Sequence, residues 1–563
     1  MSKALPRNTD VADQLDLLAD LLELEGEASF RVVAYRRAAQ RIRETAGSVA
    51  ELALAGRAKE LTGIGKTIEE KIVQVVEDGE MHALTKRKKI IPAEVVSFMR
   101  LPGLGPKTAA RIWQELGVTT IEELKQAAEQ EQLRTLAGLG AKTEERILKA
   151  LAEKKQEPSD RRLLGDGLGP LLAVVEVLQQ HPAAVKVSEA GSARRRKETF
   201  RDLDIIATAN DPEALIDYFT KLKWVIEVVA KGPTKATVLS NEGLRFDLRV
   251  VPPESYGNLL QHFTGSKDHN VALRERAVKD GLSVSEYSIT VVESGDELKF
   301  ADEEQVYERL GYQFIPPELR ENAGELEAAR RRDLPELVGL DDVRGDLHTH
   351  TSYSDGRDTL EQMALAARAR GYKYYAVTDH PRGTLVEQDL EIDALNERLK
   401  PFRILKGIEV NIRIDGSLSL PNDVLAERDW VMASLHAAFD RHPTERVLTA
   451  MENPHVDCIG HLTARKINIR PPANVDVERV VGKALETGTF LEINAQPNRL
   501  DLRDSHARLA GEAGVKIAVN TDAHQLSALQ HMEMGVAQAR RAWLTKDQVL
   551  NTRTWPQIEK LLK

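Results

Sequence analysis

At 563 residues the chain is too long for one hydrophobic core and suits about four domains of ordinary size, and its 42% hydrophobic content is that of a globular protein. A formal net charge of −10 excludes a uniformly basic nucleic-acid coat, but basic clusters at Lys86-Arg-Lys-Lys89 and Arg194-Arg-Arg-Lys197 leave room for local basic faces. The single cysteine, Cys458, excludes a disulfide framework, and no apolar run is long enough to span a membrane. Met1-Ser-Lys-Ala-Leu-Pro leads straight into an amphipathic helix, with no signal-peptide pattern, so a reducing cytoplasm is expected.

The N-terminal third contains a repeat. Leu61-Thr-Gly63-Ile-Gly65-Lys66, Leu101-Pro-Gly103-Leu-Gly105-Pro-Lys107 and Leu136-Ala-Gly138-Leu-Gly140-Ala-Lys142 recur at intervals of 40 and 35 residues between helical stretches. This is the form of a helix-hairpin-helix. Two glycines allow a tight turn, and the amides opening the next helix bind a DNA phosphate whatever the base sequence. The first repeat runs into Thr67-Ile-Glu69-Glu70-Lys71-Ile72, read as a helix.

Further on, Gly191-Ser192-Ala-Arg194-Arg195 precedes Asp202-Leu-Asp204-Ile-Ile, where strand alternation puts both carboxylates on one face. Another alternating strand, Leu244-Arg-Phe-Asp247-Leu-Arg249, carries a third acid. Three carboxylates on adjacent strands make a two-ion site for Mg2+ or Mn2+, able to hold a triphosphate and assist an attacking hydroxyl. The Gly191-Ser192 turn offers close backbone approach and a hydroxyl, and Arg195 a guanidinium for phosphate. The segment His262-Phe263-Thr264-Gly265-Ser266-Lys267-Asp268-His269-Asn270, followed by Leu273-Arg274, comes next.

From residue 344 short apolar runs end in ligand-type residues. They are Arg344-Gly-Asp-Leu-His348-Thr-His350, Tyr375 to His380, Ile404 to Glu409, Trp430 to His436, Asp457 to His461, Phe490 to Asn494 and Lys516 to Asp522-Ala-His524. Helix-length stretches separate them, which predicts parallel βα units closing into a seven-stranded barrel with the ligands at the strand C-terminal ends. With Asp355, nine nitrogen and oxygen ligands result: His348, His350, Asp355, His380, Glu409, His436, His461, Asp522 and His524. Nine are too many for one ion and suit two or three, manganese and/or zinc, in phosphate-ester hydrolysis.

The C-terminal motifs resemble the PHP family of metal-dependent phosphoesterases over residues 339–563, and none of that family's nine ligands is missing. The central motifs resemble family X DNA polymerases, and more closely the bacterial PolX proteins that join such a polymerase to a PHP domain. In that family the turn at Phe263 and Gly265 lies against the sugar of the incoming nucleotide, Asn270 contacts the base and Arg274 the template strand. His262 stands where a tyrosine is usual and Arg201 where a small residue is usual. The resemblance also implies that Lys71 either forms a Schiff base with the sugar of an abasic site or contacts phosphate; Tyr35 and Arg37 match that pattern, whereas Phe30 replaces a histidine.

The resulting fold class is multidomain, α+β and α/β. A lyase-like helical domain is expected over 1–90, a hairpin-bearing helical domain over 91–155 and a nucleotidyltransferase palm over 156–260. A nucleotide-selecting thumb follows over 261–318, a connecting arm over 319–338 and a distorted (β/α)7 PHP barrel over 339–563. The implied function is a DNA-directed polymerase that fills short gaps in repair, in base excision and end joining. The barrel would add a 3'-5' exonuclease, AP endonuclease or 3'-phosphoesterase. Expected partners are gapped or nicked duplex DNA and dNTPs, acting on a cytoplasmic, nucleoid-associated monomer. A DNA-binding scaffold with one silent site, or a nucleotidyltransferase for a non-DNA substrate, is the alternative.

Overall fold

The computed structural model describes residues 5–6, 8–27, 29–45, 48–61, 63–92, 94–99, 104–136, 139–152, 161–381, 383 and 385–562. Gly103, Gly138 and the expected boundary at 153–158 lie outside them. The chain divides into two compact units, 1–157 and 158–563.

The first unit is helical throughout its described residues. Local chemistry sets its helix ends. The Ser48 side chain caps Val49–Leu54, and a reciprocal Thr120/Glu123 capping box opens Ile121–Glu129. Left-handed Gly79 and Gly117 close Lys66–Asp78 and Pro106–Leu116. Across the two expected helical segments, 1–90 and 91–155, buried residues form a continuous core from Val11 to Ile147 that includes Leu15, Ile72, Phe98, Ile112 and Leu124.

The second unit begins with a five-stranded palm sheet: β1 (Ala184–Glu189), β2 (Leu203–Ala209), β3 (Val225–Lys231), β4 (Lys235–Ser240) and β5 (Arg245–Val251), in spatial order β1-β2-β5-β4-β3. Only β2 and β5 pair in parallel. Helices Leu164–Gln179 and Pro212–Thr220 bury Leu171, Leu215 and Phe219 against Ile205, Ala207 and Phe246 on one face. Helix Tyr256–Thr264 packs Tyr256 and Leu259 on the other face, against Ile206 and Val251. The thumb continues with helix Lys267–Lys279 and a small antiparallel sheet over 282–298. The expected connecting arm, 319–338, is folded into this part: Leu319, Leu326 and Ala329 share a core with Leu273 and Tyr307. Arg320, fully buried, pairs with Glu303 and donates to the Ile315 carbonyl.

Seven parallel strands then follow in sequential order: β6 (Gly345–Asp346), β7 (Tyr374–Val377), β8 (Arg403–Asn411), β9 (Trp430–Ser434), β10 (Cys458–Gly460), β11 (Phe490–Asn494) and β12 (Ile517–Asn520). Beyond β6 and β12 the chain pairs again through Thr349 and Ala523, which brings the first and last strands together as the predicted barrel requires. Palm and barrel are not loosely tethered. Leu500 and Met534 belong to the palm core, and a Cβ on Gly165 would lie 2.5 Å from Pro497 Cβ.

Candidate functional site

In the palm, β2 and β5 run parallel with Asp204 directly opposite Asp247. Asp202 stands at the entry to β2 on the same side as Asp204, as alternation predicts. Burial, then the charges of Asp247 and Asp202, push the Asp204 carboxyl up to about 7. Crowded carboxylates of this kind are relieved by divalent cations, so the donor set fits the ions expected there. Two arginines partly balance the charge: Arg245 Nε lies 3.2 Å from Asp247 and 3.4 Å from Asp202, and Arg201 Nε lies 3.2 Å from Asp202. The Thr237 hydroxyl donates to Asp247. Of these three, only Arg201 was singled out from sequence, and only as a departure.

Gly191 opens the short helix Gly191–Arg194 with φ +63, and a Cβ there would meet Asp204 Oδ2 at 2.1 Å. Glycine is therefore what lets the Ser192 turn approach the carboxylates. Arg195, expected to meet phosphate, also has partners within the protein. It is buried, its Nε donates to Glu321 (3.0 Å) and its Nη1 to the Thr264 carbonyl (2.7 Å), so two of its donors brace the turn from within. In the thumb, a Cβ on Gly265 would lie 2.7 Å from Asn270 Oδ1. The Asn270 amide, expected at the base edge, donates to the His262 carbonyl (2.7 Å) and accepts from Gln261 (3.0 Å). Arg274 lies 2.8 Å from His262 Nδ1, and Phe263 is covered by the Arg249 guanidinium at 4.4 Å.

At the C-terminal mouth of the barrel all nine predicted ligands converge around Glu409. One of its oxygens lies 3.4 Å from His348 Nε2, 3.5 Å from His350 Nε2 and 3.4 Å from His380 Nε2; the other lies 3.4 Å from His436 Nε2 and 3.2 Å from His461 Nε2. Asp522 Oδ1 is 3.3 Å from His350 Nε2 and 3.7 Å from His348 Nε2, and Asp355 Oδ2 is 3.3 Å from His524 Nε2. The atoms form three ion-sized groups: His348, His350 and Asp522; His350, Asp355 and His380; His380, Glu409 and His436. His348 Nε2, both His350 ring nitrogens and Glu409 Oε1 are buried without a hydrogen-bond partner. Two ligands on one tetrahedral ion at about 2.0–2.1 Å sit about 3.4 Å apart. Buried, unpartnered and at that spacing, these atoms fit metal ions.

Electrostatics is divided between the ligands. Burial would lower His348, but Glu492, Glu409 and Asp522 outweigh it and hold that ring well above its ordinary value, so it must lose a proton on binding an ion. Burial alone would raise Glu409 and Asp522, but histidines outweigh it and hold both carboxyls well below the usual range. Burial, then Arg499, brings His461 down to about 4, leaving it neutral as a ligand must be. His461 and Asp522 have φ +24 and +51, strained positions tied down by Glu492, which accepts from the His461 amide at 2.7 Å, and by Gln496, which donates to the Asp522 carbonyl at 2.8 Å. The sequence reading missed Glu492. It lies within a run already singled out, where its acid alternates with apolar residues, and no spacing distinguished it from a ligand.

In the helical unit, Gly65 and Gly105 directly precede helices Lys66–Asp78 and Pro106–Leu116, neither of which has a side-chain cap, and Gly140 precedes Ala141–Ala152. All three are exposed with open space where a Cβ would be, while Ile64, Leu104 and Leu139 point into the core. Gly63 takes φ +86. Buried Glu69 accepts from the Lys59 amide and buried Glu144 from the Arg134 amide, each at 2.9 Å, a matched brace behind the first and third hairpins. Lys71 is half-buried with its Nζ 5.9 Å from the Tyr35 ring, and Phe30 is exposed.

Comparison with known proteins follows the same division. Residues 6–81 match the family described as helix-hairpin-helix domain, 96–153 the SAM-like helix-hairpin-helix tandem, 259–321 the DNA polymerase beta thumb and 346–496 the PHP domain. A Bacillus subtilis (strain 168) protein named DNA polymerase/3'-5' exonuclease PolX is 39% identical over 98% of this chain and 99% of its own length. Proteins named probable phosphatase from Thermoanaerobacter sp. (strain X514) and Aliivibrio fischeri (strain ATCC 700601 / ES114) are 34% and 27% identical, each over 37% of this chain and 89% of its own length. With a relative of that similarity aligned almost end to end, and with the carboxylate and histidine centres both assembled, the chain belongs to the bacterial PolX family, family X DNA polymerases joined to a PHP phosphoesterase domain.

Proposed function

We propose that the protein fills short gaps in duplex DNA and cleans 3' ends for that synthesis. The observation that carries this reading is the opposed pair Asp204 and Asp247, with Asp202 beside them and the Gly191 turn pressed against Asp204. Asp202, Asp204 and Asp247 would hold Mg2+ or Mn2+, which when bound neutralises triphosphate charge and favours the attacking 3'-hydroxyl. Ser192 would orient phosphate, Phe263 and Gly265 would face the sugar, and Arg274 the template. Gly63, Gly65, Gly105 and Gly140, with Gly103 and Gly138, would hold the duplex through backbone amides.

In the barrel, the nine ligands would hold two or three manganese and/or zinc ions, which when bound activate water and offset charge on a phosphate ester. Glu409 and Asp522, kept ionised, and His461, kept neutral, are ready to bind without first losing a proton. The substrates we assign are 3'-terminal nucleotides, abasic sites and 3'-phosphates, the lesions that deny a polymerase its primer. The protein would act in base excision and end joining, as a monomer associated with the nucleoid.

A 5'-phosphorylated one-nucleotide gap, incubated with dNTPs and magnesium or manganese, tests both halves. Asp204→Ala abolishes templated incorporation and leaves 3'-end hydrolysis; His350→Ala does the reverse and lowers bound metal. Incorporation that ignores the template would sink the polymerase reading.

Lys71 carries two further readings, as a phosphate contact or as the amine that attacks an abasic sugar; its place against Tyr35 on the first hairpin's helix supports either. Borohydride trapping on a 5'-deoxyribose-phosphate substrate, with and without Lys71→Ala, separates them.

A further inference from the structure

The turn assigned to the triphosphate, residues 191–198, is secured by side chains from the barrel. Arg541, at the end of barrel helix Met532–Arg541, is almost fully buried. Its Nη1 donates to the Arg195 carbonyl (2.8 Å) and to Glu321 (3.1 Å), and its Nη2 donates to Asp504 (2.6 Å). Glu321 also accepts from Arg195 Nε, so Arg541 holds the turn directly by its backbone and, through this carboxylate, by the Arg195 side chain. At the far end of the turn, Glu198 is gripped bidentately by Arg465, four residues beyond His461, and Arg465 also donates to the Leu500 carbonyl. Gln538 lies 3.4 Å from Glu198 as well.

We infer that Arg541 and Arg465 are positioning residues for nucleotide binding, so that the PHP barrel forms part of the scaffold of the polymerase site. Neither touches substrate. They fix the turn that carries Ser192 and presses Gly191 onto Asp204. A planar guanidinium held by two carboxylates and a carbonyl has one orientation, and a buried fork of this kind transmits displacement where a surface contact would absorb it. The inference rests on the polymerase reading of the 191–198 turn.

The test uses the full chain. Arg541→Lys keeps the charge and loses the fork; Glu198→Gln weakens the second tie and removes no buried cation. For Arg541→Lys the KM for dNTP on one-nucleotide-gapped DNA should rise about tenfold with kcat within about twofold, because placement of the triphosphate is disturbed while the carboxylates stay in place. Glu198→Gln should shift it in the same direction by about threefold. Manganese-dependent 3'-end hydrolysis should stay within about twofold in both. Amide hydrogen exchange should quicken at 192–197 and not in the barrel strands. A wild-type dNTP KM in either folded variant overturns the inference, as does equal loss of both activities together with a fall in melting temperature. If wild-type protein incorporates no nucleotide, the polymerase reading itself fails, a different result.

Discussion

Glu492 accepts a hydrogen bond from His348 Nδ1 at 2.7 Å, which leaves Nε2 as the ring nitrogen turned toward Glu409 and Asp522. A carboxylate behind a ligating histidine fixes its tautomer and raises its basicity. Glu492 also accepts from the His461 amide and the Asn520 side chain, so one acid orients two ligands. Glu492→Gln should therefore lower bound metal and reduce 3'-end hydrolysis by about 10–100-fold, with nucleotide incorporation unchanged. Metal analysis of purified protein beside both assays checks this. Full occupancy and full hydrolysis would show that the histidines need no such support.

Gly191→Ala is expected to be more damaging than its size suggests. The added methyl would overlap Asp204 Oδ2, and the φ of +63 disfavours any side chain. Templated incorporation should fall by about 100-fold or more, with barrel hydrolysis retained. Near-normal incorporation would mean that Asp204 tolerates displacement and is not a fixed ligand.

Substitution at the hairpins should leave the fold alone and weaken DNA binding. Gly65 and Gly105 have φ of −89 and −81, which any residue adopts, and no atom lies within 4 Å of a Cβ at either. Gly65→Leu with Gly105→Leu places bulk over the opening amides of two helices. Affinity for gapped duplex should drop about tenfold, equally for unrelated sequences, with an unchanged circular dichroism spectrum. Unchanged affinity would return these turns to a purely packing role.

Acid should loosen the palm and barrel unit through Glu321. Burial would raise its carboxyl, but Lys197, Arg541 and Arg195 outweigh that and hold it at about 2, against an ordinary 4.5. A depressed folded-state pKa contributes stability that is complete above the ordinary value and is lost as the pH falls toward 2. The melting temperature of the wild type should therefore fall between about pH 4.5 and 2. Glu321→Gln should start lower at neutral pH and fall less steeply. Parallel curves for the two proteins would mean that another group governs the acid transition.

Much of both sites was legible because each rests on a local pattern. Alternation put Asp202 and Asp204 on one side, and the run-and-ligand rhythm from His348 to His524 marked seven strands and the nine ligand-type residues that meet at the barrel mouth. What was not legible depends on partners distant in sequence. Glu492 meets His348 across 144 residues, and Arg541 meets Arg195 across 346. Arg195 was read as a phosphate ligand from its place beside the Gly191-Ser192 turn; nothing nearby in sequence revealed its contacts with Glu321 and Thr264. The single core of the helical unit was hidden for the same reason: periodicity tells which face of a helix is apolar and not which other helix covers it.

The 346-residue separation between Arg195 and Arg541 also bears on biosynthesis. A ribosome releases the palm strands long before it makes the helix that supplies Met534 to their core and Arg541 to their turn. Until then the nascent palm carries uncovered apolar surface and an unsecured loop, a state exposed to aggregation and to chaperones. Synthesis therefore passes through a long interval in which the carboxylates exist while the turn beside them lacks its ties to Arg465 and Arg541.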